Sequence, residues 1–274
     1  MTDLATEASL HAVLAEHGYP AAPALWVDDG HLLVTEWVDG PSLTQLSDEP
    51  PSEERLRRIG RCIEGLIHLE EAEPVFRQHI ADDQASTPGA SAMAADVCSG
   101  VRTLIDDDAA ESVVGLLREL AEFICAEPSS PGISDIWPGE IILGASGPVF
   151  LDIGVLAHRW PEWRFCQYFA RGQRTQADRS DQGRRLLQLL PRLDASRLDA
   201  HYLLHDVSYM RAWHDLAAEF GAPRDPRNGR TPTSVLSAAC QRLTWPGACA
   251  AANEVRQRLQ QGGLTQSYPG ADRD

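Results

Sequence analysis

The sequence contains no lysine, so all 24 of its Lys-plus-Arg residues are arginine. No ammonium group is available for a Schiff base or for holding a phosphate, and every permanent cation is a guanidinium. Long apolar runs are missing too. None reaches the roughly 18 residues that a spanning helix needs. Met1–Glu16 carries early acids and no basic stretch ahead of an apolar run, which argues against a secretory signal. A cytoplasmic protein without a membrane partner is therefore expected. Cysteine is sparse and scattered: Cys62, Cys98, Cys125, Cys166, Cys240 and Cys249 form no Cys-x-x-Cys pair. Buried free thiols are expected rather than a zinc site or a disulfide framework. Positive charge is in short supply, with 40 Asp and Glu giving a net charge of -16. That balance argues against nucleic acid, whose phosphates call for clustered cations. It favours a basic partner.

What is present suits one large or two-lobed globular domain: 274 residues, 43% of them apolar. There is no internal repeat. The segment Leu4–His17 reads as a short helix ending at Gly18. Two strand-like runs, Ala24–Val27 and Leu32–Glu36, flank the turn signal Asp28-Asp29-Gly30. Trp26 and Trp37 on this hairpin either cover a cleft or partner or pack in the core, and core packing is the expectation. After a linker, Ser52 is placed to cap a helix whose apolar face is Leu56, Ile59, Ile63, Leu66, Ile67 and Leu69. Arg55, Arg57, Arg58 and Arg61 on that helix read as a solvated face. A loop of small residues is expected over Asp82–Ala94, and a second helix near Glu111–Cys125, stopped by Pro128–Gly132. Then come the strands Ile141–Leu143 and Val149–Leu151. The helices Trp160–Arg171, Gln182–Leu190, Ala195–Phe220, Ser234–Leu243 and Cys249–Gln260 follow, with a frayed tail from Gly262.

Two passages carry a family resemblance. The first is Trp26-Val27-Asp28-Asp29-Gly30-His31-Leu32-Leu33-Val34-Thr35-Glu36-Trp37-Val38-Asp39-Gly40. It resembles the last N-lobe strands and hinge of aminoglycoside phosphotransferases and choline-kinase-like proteins. The second is Ser134-Asp135-Ile136-Trp137-Pro138-Gly139-Glu140, followed by Val149-Phe150-Leu151-Asp152-Ile153-Gly154. It is similar to that family's catalytic loop and metal-binding segment, with likeness running from Leu10 to Ala170. The resemblance implies an α+β, protein-kinase-like fold with a reduced N-lobe and hinge over residues 1–40. A helical C-lobe would cover 41–261, with the catalytic-loop-like segment at 133–154.

The resemblance also implies roles. Asp135 falls where the family's catalytic Asp orients the acceptor hydroxyl, Asp152 where the main Mg²⁺ ligand sits, and Glu140 where a second ligand, Asn in the family, is expected. Glu36 and Val38 fall at the hinge that would hold the nucleotide, with Mg²⁺ and ATP the implied cofactors. The departures are equally specific. Ile133, Ser134 and Trp137 stand where the family has His, Gly and His. No strands with a phosphate-covering loop and a lysine precede the first helix, and no Arg occurs before Arg55. Glu7 or Glu16 matches the family's helix Glu without its usual partner. Trp137 is expected to pack. These departures lead to the expectation of a pseudokinase or partner subunit, binding a protein, peptide or metabolite, with a protein partner or self-association covering the reduced sheet. The alternative is an active Mg-ATP phosphotransferase on a small-molecule or peptide hydroxyl, including Ser/Thr phosphorylation in peptide dehydration, completed by a second chain.

Two further patterns carry less. His201 and His205 lie one turn apart beside Asp206 without the Glu of a zinc-protease motif, and read as a surface or partly buried pair. Gly144-Ala145-Ser146-Gly147 lies between strands, which argues against a nucleophile elbow.

Overall fold

The structure, a computed structural model, describes residues 4–28, 32–80, 89–135, 137–170, 175–220 and 231–264. Its elements run α1 (Leu4–Glu16), β1 (Ala24–Asp28), β2 (Leu32–Thr35), α2 (Leu43–Asp48), α3 (Glu53–Glu70), α4 (Glu73–His79), α5 (Ala90–Leu104) and α6 (Asp107–Cys125). They continue β3 (Ser130–Ile133), a 3₁₀ turn at Pro138–Glu140, β4 (Ile141–Leu143), β5 (Pro148–Phe150), β6 (Leu156–Arg159), α7 (Pro161–Ala170), α8 (Gln176–Leu189), α9 (Ala195–Phe220), α10 (Pro232–Leu243) and α11 (Ala250–Gln261). The chain is α+β and mostly helical, as expected. None of the described helices is long and apolar enough to cross a membrane.

Two compact units are present, Met1–Thr87 with Pro128–Leu193, and Pro88–Glu127 with Asp194–Asp274. Residues 4–40 thus share a unit with α2, α3, α4, α7, α8 and all the strands. The second unit is helical, with α9 packed on α5 and α10, and α11 on α6. Buried arginine pins this unit internally. Arg256 meets Asp199 at 2.6 Å and Arg242 meets Asp206 at 2.8 Å.

The first unit has three two-stranded antiparallel sheets: β1 with β2, β3 with β6, and β4 with β5. Within the first, Trp26 faces Val34 and Asp28 faces Leu32, and Asp29 and Gly30 of the expected turn lie outside the described residues. Ser52 caps α3 as expected, its hydroxyl accepting the Arg55 N–H. The buried side of α3 is Ile59, Cys62, Ile63, Leu66 and Leu69, while Leu56 sits at 36% exposure on its edge.

Several expectations are corrected. Arg55 is buried, donating to the Leu46 and Ser47 carbonyls and to Asp178, because the short helix α2 folds back over the start of α3. Residues 90–94 are helical rather than loop, and residues 82–88 of that expected loop lie outside the described residues. Ser130–Ile133 is a strand despite its Pro and Gly. His201 and His205 are buried. Burial drives the His201 imidazole down to about 3, so it stays neutral. Trp26, Trp37 and Trp137 are exposed at 52%, 86% and 42%, because no further element among the described residues covers those faces.

Arg164 on α7 joins the parts of the first unit that lead to the loop at 134–140. It is 0% exposed. Its Nε and Nη2 donate to Glu70 of α3 at 2.6 and 2.5 Å. Its Nη1 donates to the Ser130 and Arg159 carbonyls at 3.0 and 2.9 Å, and Nη2 also reaches the Ser130 hydroxyl. A Cβ at Gly132 would lie 2.8 Å from the guanidinium carbon, so glycine is required where β3 crosses it. Truncating one partner of such a buried pair strands the other charge. Arg164→Met is expected to lower stability by about 3–5 kcal/mol, seen as a reduced urea midpoint with an unchanged slope. Glu70→Gln, which keeps an acceptor oxygen, is expected to cost less.

Candidate functional site

The loop after β3 is held by backbone and by one phenol. Tyr168 of α7, fully buried, donates its hydroxyl to the Ile133 carbonyl at 2.7 Å. Burial and the nearby Glu70 carboxylate push its phenol well above the ordinary range. Ser134 N–H then donates to the Val155 carbonyl at 2.8 Å. Asp135 follows, exposed, accepting from Gln167 Nε2 at 3.3 Å.

The segment continues through the 3₁₀ turn, where Glu140 turns its carboxylate back onto the Trp137 N–H at 2.9 Å. The Glu140 carbonyl accepts from Leu151 N–H at 3.0 Å, setting β5 beside the turn. Asp152 comes directly after, half-buried, its carboxylate accepting the Gly154 N–H at 3.4 Å.

The start of the chain lies over this turn. Phe150 exchanges backbone hydrogen bonds with the Pro20 carbonyl (2.8 Å) and the Ala22 N–H (3.0 Å). That pairing brings α1 over the segment 152–154. A Cβ at Gly154 would fall 2.5 Å from Glu7 Oε2, so the Glu7 carboxylate rests on the Gly154 backbone. One turn along α1, His11 is fully buried. Its Nδ1 lies 2.6 Å from the Ala22 carbonyl oxygen and so carries a proton and donates. Its Nε2 makes no hydrogen bond among the described residues and lies 3.8 Å from Glu7 Oε1. The family resemblance singled out Glu7, alongside Glu16, but not His11. Their i, i+4 spacing was the available signal.

Burial first, then the Glu7 charge and more weakly that of Asp135, raise the Asp152 carboxyl above the usual carboxylate range. The Gly154 N–H and His11 oppose this. Asp135 and Asp152 therefore lie within electrostatic reach of one another, while Glu140 is turned onto Trp137. Magnesium asks for near-octahedral oxygen donors, commonly one or two carboxylates plus phosphates and water. Among the described residues no three or more His, Cys, Asp or Glu side chains converge to hold a metal ion. Asp135, Glu140 and Asp152 as arranged do not fit a three-carboxylate Mg²⁺ site.

At the expected hinge, the Glu36 N–H donates to the Pro23 carbonyl at 2.9 Å, and its side chain is exposed. A Cβ at Gly144 would lie 3.1 Å from Val38 Cγ1, so Val38 packs against the β4–β5 turn. Gly40 and Pro41 continue along β4, where the Pro41 carbonyl accepts the Leu143 N–H at 2.9 Å.

No protein-family model matches the sequence, and no curated protein matches it. Solved structures do share the fold. A choline/ethanolamine kinase family protein from Mesorhizobium loti aligns at TM-score 0.55 and 13% identity, covering 97% of this chain and 83% of the other. A choline kinase from Cryptosporidium parvum aligns at TM-score 0.51 and 11% identity, covering 96% and 80%. At such identities the likeness establishes the fold, which is kinase-like as the two motif passages implied.

Because the folded Asp152 binds its proton more tightly than the unfolded chain does, its charge opposes folding above the raised value. The penalty fades as pH falls through that value toward the unfolded one. Asp152→Asn is expected to raise Tm at neutral pH by the equivalent of less than about 1 kcal/mol, given solvent screening. The two proteins should converge below a pH of about 4, as thermal melts across pH would register.

Proposed function

We propose that this chain is a kinase-fold binding protein, a pseudokinase or partner subunit, that does not transfer phosphate by itself. The observation that carries the reading is the state of its acids. Glu140, at the position of a second metal ligand, spends its carboxylate on the Trp137 N–H. Asp152, at the position of the main ligand, is two residues from Gly154, on whose backbone the Glu7 carboxylate rests, and feels that like charge. The sequence supplies no lysine, and no arginine before Arg55, to balance them. Phosphoryl transfer relies on positioned cations that absorb the phosphate charge, and this arrangement offers carboxylates in their place.

A second reading is favoured by one observation, the electrostatic reach between Asp135 and Asp152. Under it the chain is a phosphotransferase completed by a second chain. Asp135 would orient an acceptor hydroxyl on an amino alcohol like those named for the structural neighbours, or on a Ser or Thr of a peptide bound for dehydration. Mg²⁺ brought with ATP would be held by Asp152, and the hinge at Glu36 and Val38 would face the base.

Calorimetric titration of ATP with Mg²⁺ separates the two. The binding-protein reading expects no micromolar site, and no difference between wild type and Asp152→Ala in folded samples. Micromolar binding that requires both Mg²⁺ and Asp152 would overturn it in favour of the second.

A further inference from the structure

Resting on the binding-protein reading, we infer that the exposed face of the β1–β2 hairpin docks an extended partner segment that is apolar in its middle and carries Arg or Lys at its flanks. Five large apolar side chains stand open there: Leu25 at 63% exposure, Trp26 at 52%, Leu32 at 49%, Val34 at 37% and Trp37 at 86%. They are not scattered. Trp26 is the cross-strand partner of Val34, and Leu32 is two residues along the same face, so the three form one surface, with Trp37 just beyond the strand end. Leu25 protrudes at the register shift between Ala24 and Trp26. A contiguous apolar patch with two tryptophans is the usual anchor of an interface rather than ordinary surface.

Backbone geometry adds a second attraction. β1 and β2 pair only with each other, so each has an edge that pairs with no strand among the described residues. A lone two-stranded sheet is marginal in water and gains from a third strand. An extended segment lying along an edge satisfies these groups while its alternate side chains cover the patch.

Charge selects the partner. Before Arg55 the chain carries eleven Asp and Glu residues and neither Arg nor Lys. Glu36 and Asp39, both exposed, border Trp37 directly. An apolar centre bordered by these two exposed acids is complementary to basic flanks. The same charges disfavour a second copy of this chain, which would bring its own acids to the contact.

The test begins by panning a random peptide display library on the immobilised full chain, then titrating the synthetic consensus peptide into wild type and variants. The retained peptides are expected to alternate apolar residues and to be rich in Arg and Lys. Binding should weaken about tenfold or more in Trp37→Ser, and the circular dichroism of this variant, changed at an exposed position, should match wild type. Asp39→Arg should weaken it about threefold, as should a rise in salt from about 0.05 to about 0.3 M. No enrichment, enriched peptides without a basic excess, or equal affinity in Trp37→Ser would each overturn the proposal. So would a dimer, seen by sedimentation, that Trp37→Ser dissolves, since a second copy would then be the occupant. The titration contains no nucleotide, so its failure speaks to the hairpin alone, while Asp152-dependent ATP binding speaks to the reading beneath it.

Discussion

The buried pair between Arg164 and Glu70 is the interaction on which the candidate site depends. One guanidinium gathers the end of α3, the start of β3 and the end of β6, using a carboxylate, two carbonyls and a hydroxyl. A planar fork of fixed donors suits this role, whereas an ammonium would bind as a point charge. Because β3 is fixed at Ser130 and again at Ile133 by Tyr168, the chain enters the 134–140 loop along a set direction. Asp135 owes its position to that direction. Its own contact, at 3.3 Å from Gln167, is long and exposed and would not hold the loop alone.

The other half of the site comes from the opposite end of the sequence. Strand β5 carries the chain into Asp152, and it is held by residues 20–22 as well as by β4. Those residues also receive the His11 donor, so α1, the segment after it and β5 are tied together. Glu7 is thereby committed to the Gly154 backbone. The result is a half-buried Asp152 with a second carboxylate close by and an imidazole behind that carboxylate. Burial and like charge both resist its ionisation.

How much of this was legible depends on whether the signal was local. Helix α3 was legible because Ser52 caps it and its apolar spacing repeats along one side. The bounds of α9 matched from Ala195 to Phe220 for the same kind of reason. Strand β3 was not, since Pro131 and Gly132 read as breakers. What makes them strand is pairing with β6 and the close approach of Arg164, both set by residues at least 24 positions away. Helix α5 was obscured by Ala, Ser and Gly, small residues that leave little amphipathic contrast. Arg55 misled because charge on an amphipathic helix usually means solvent, and nothing near it foretold Asp178. The three carboxylates could be named from motif spacing. That spacing could not say that Glu140 would turn toward Trp137, because a short-range cap competes with any ligand role and wins without one.

The missing lysine and the open hairpin are two faces of one constraint. Four of the buried guanidiniums have carboxylate partners: Arg55 with Asp178, Arg164 with Glu70, Arg242 with Asp206, Arg256 with Asp199. Each pair offsets its own desolvation, and removing either member leaves an uncompensated charge. None of these arginines can swing toward an incoming phosphate without breaking the fold it holds. At the opposite extreme, the acids of the first elements have no permanent cation within their own stretch of sequence. A bare anion approaching Asp152 meets Glu7 and Asp135 as well, opposed by the His11 imidazole. A ligand that brings its own positive charge meets attraction instead, whether at that turn or on the acidic hairpin. On the proposed reading, these acids are what would favour a cationic partner.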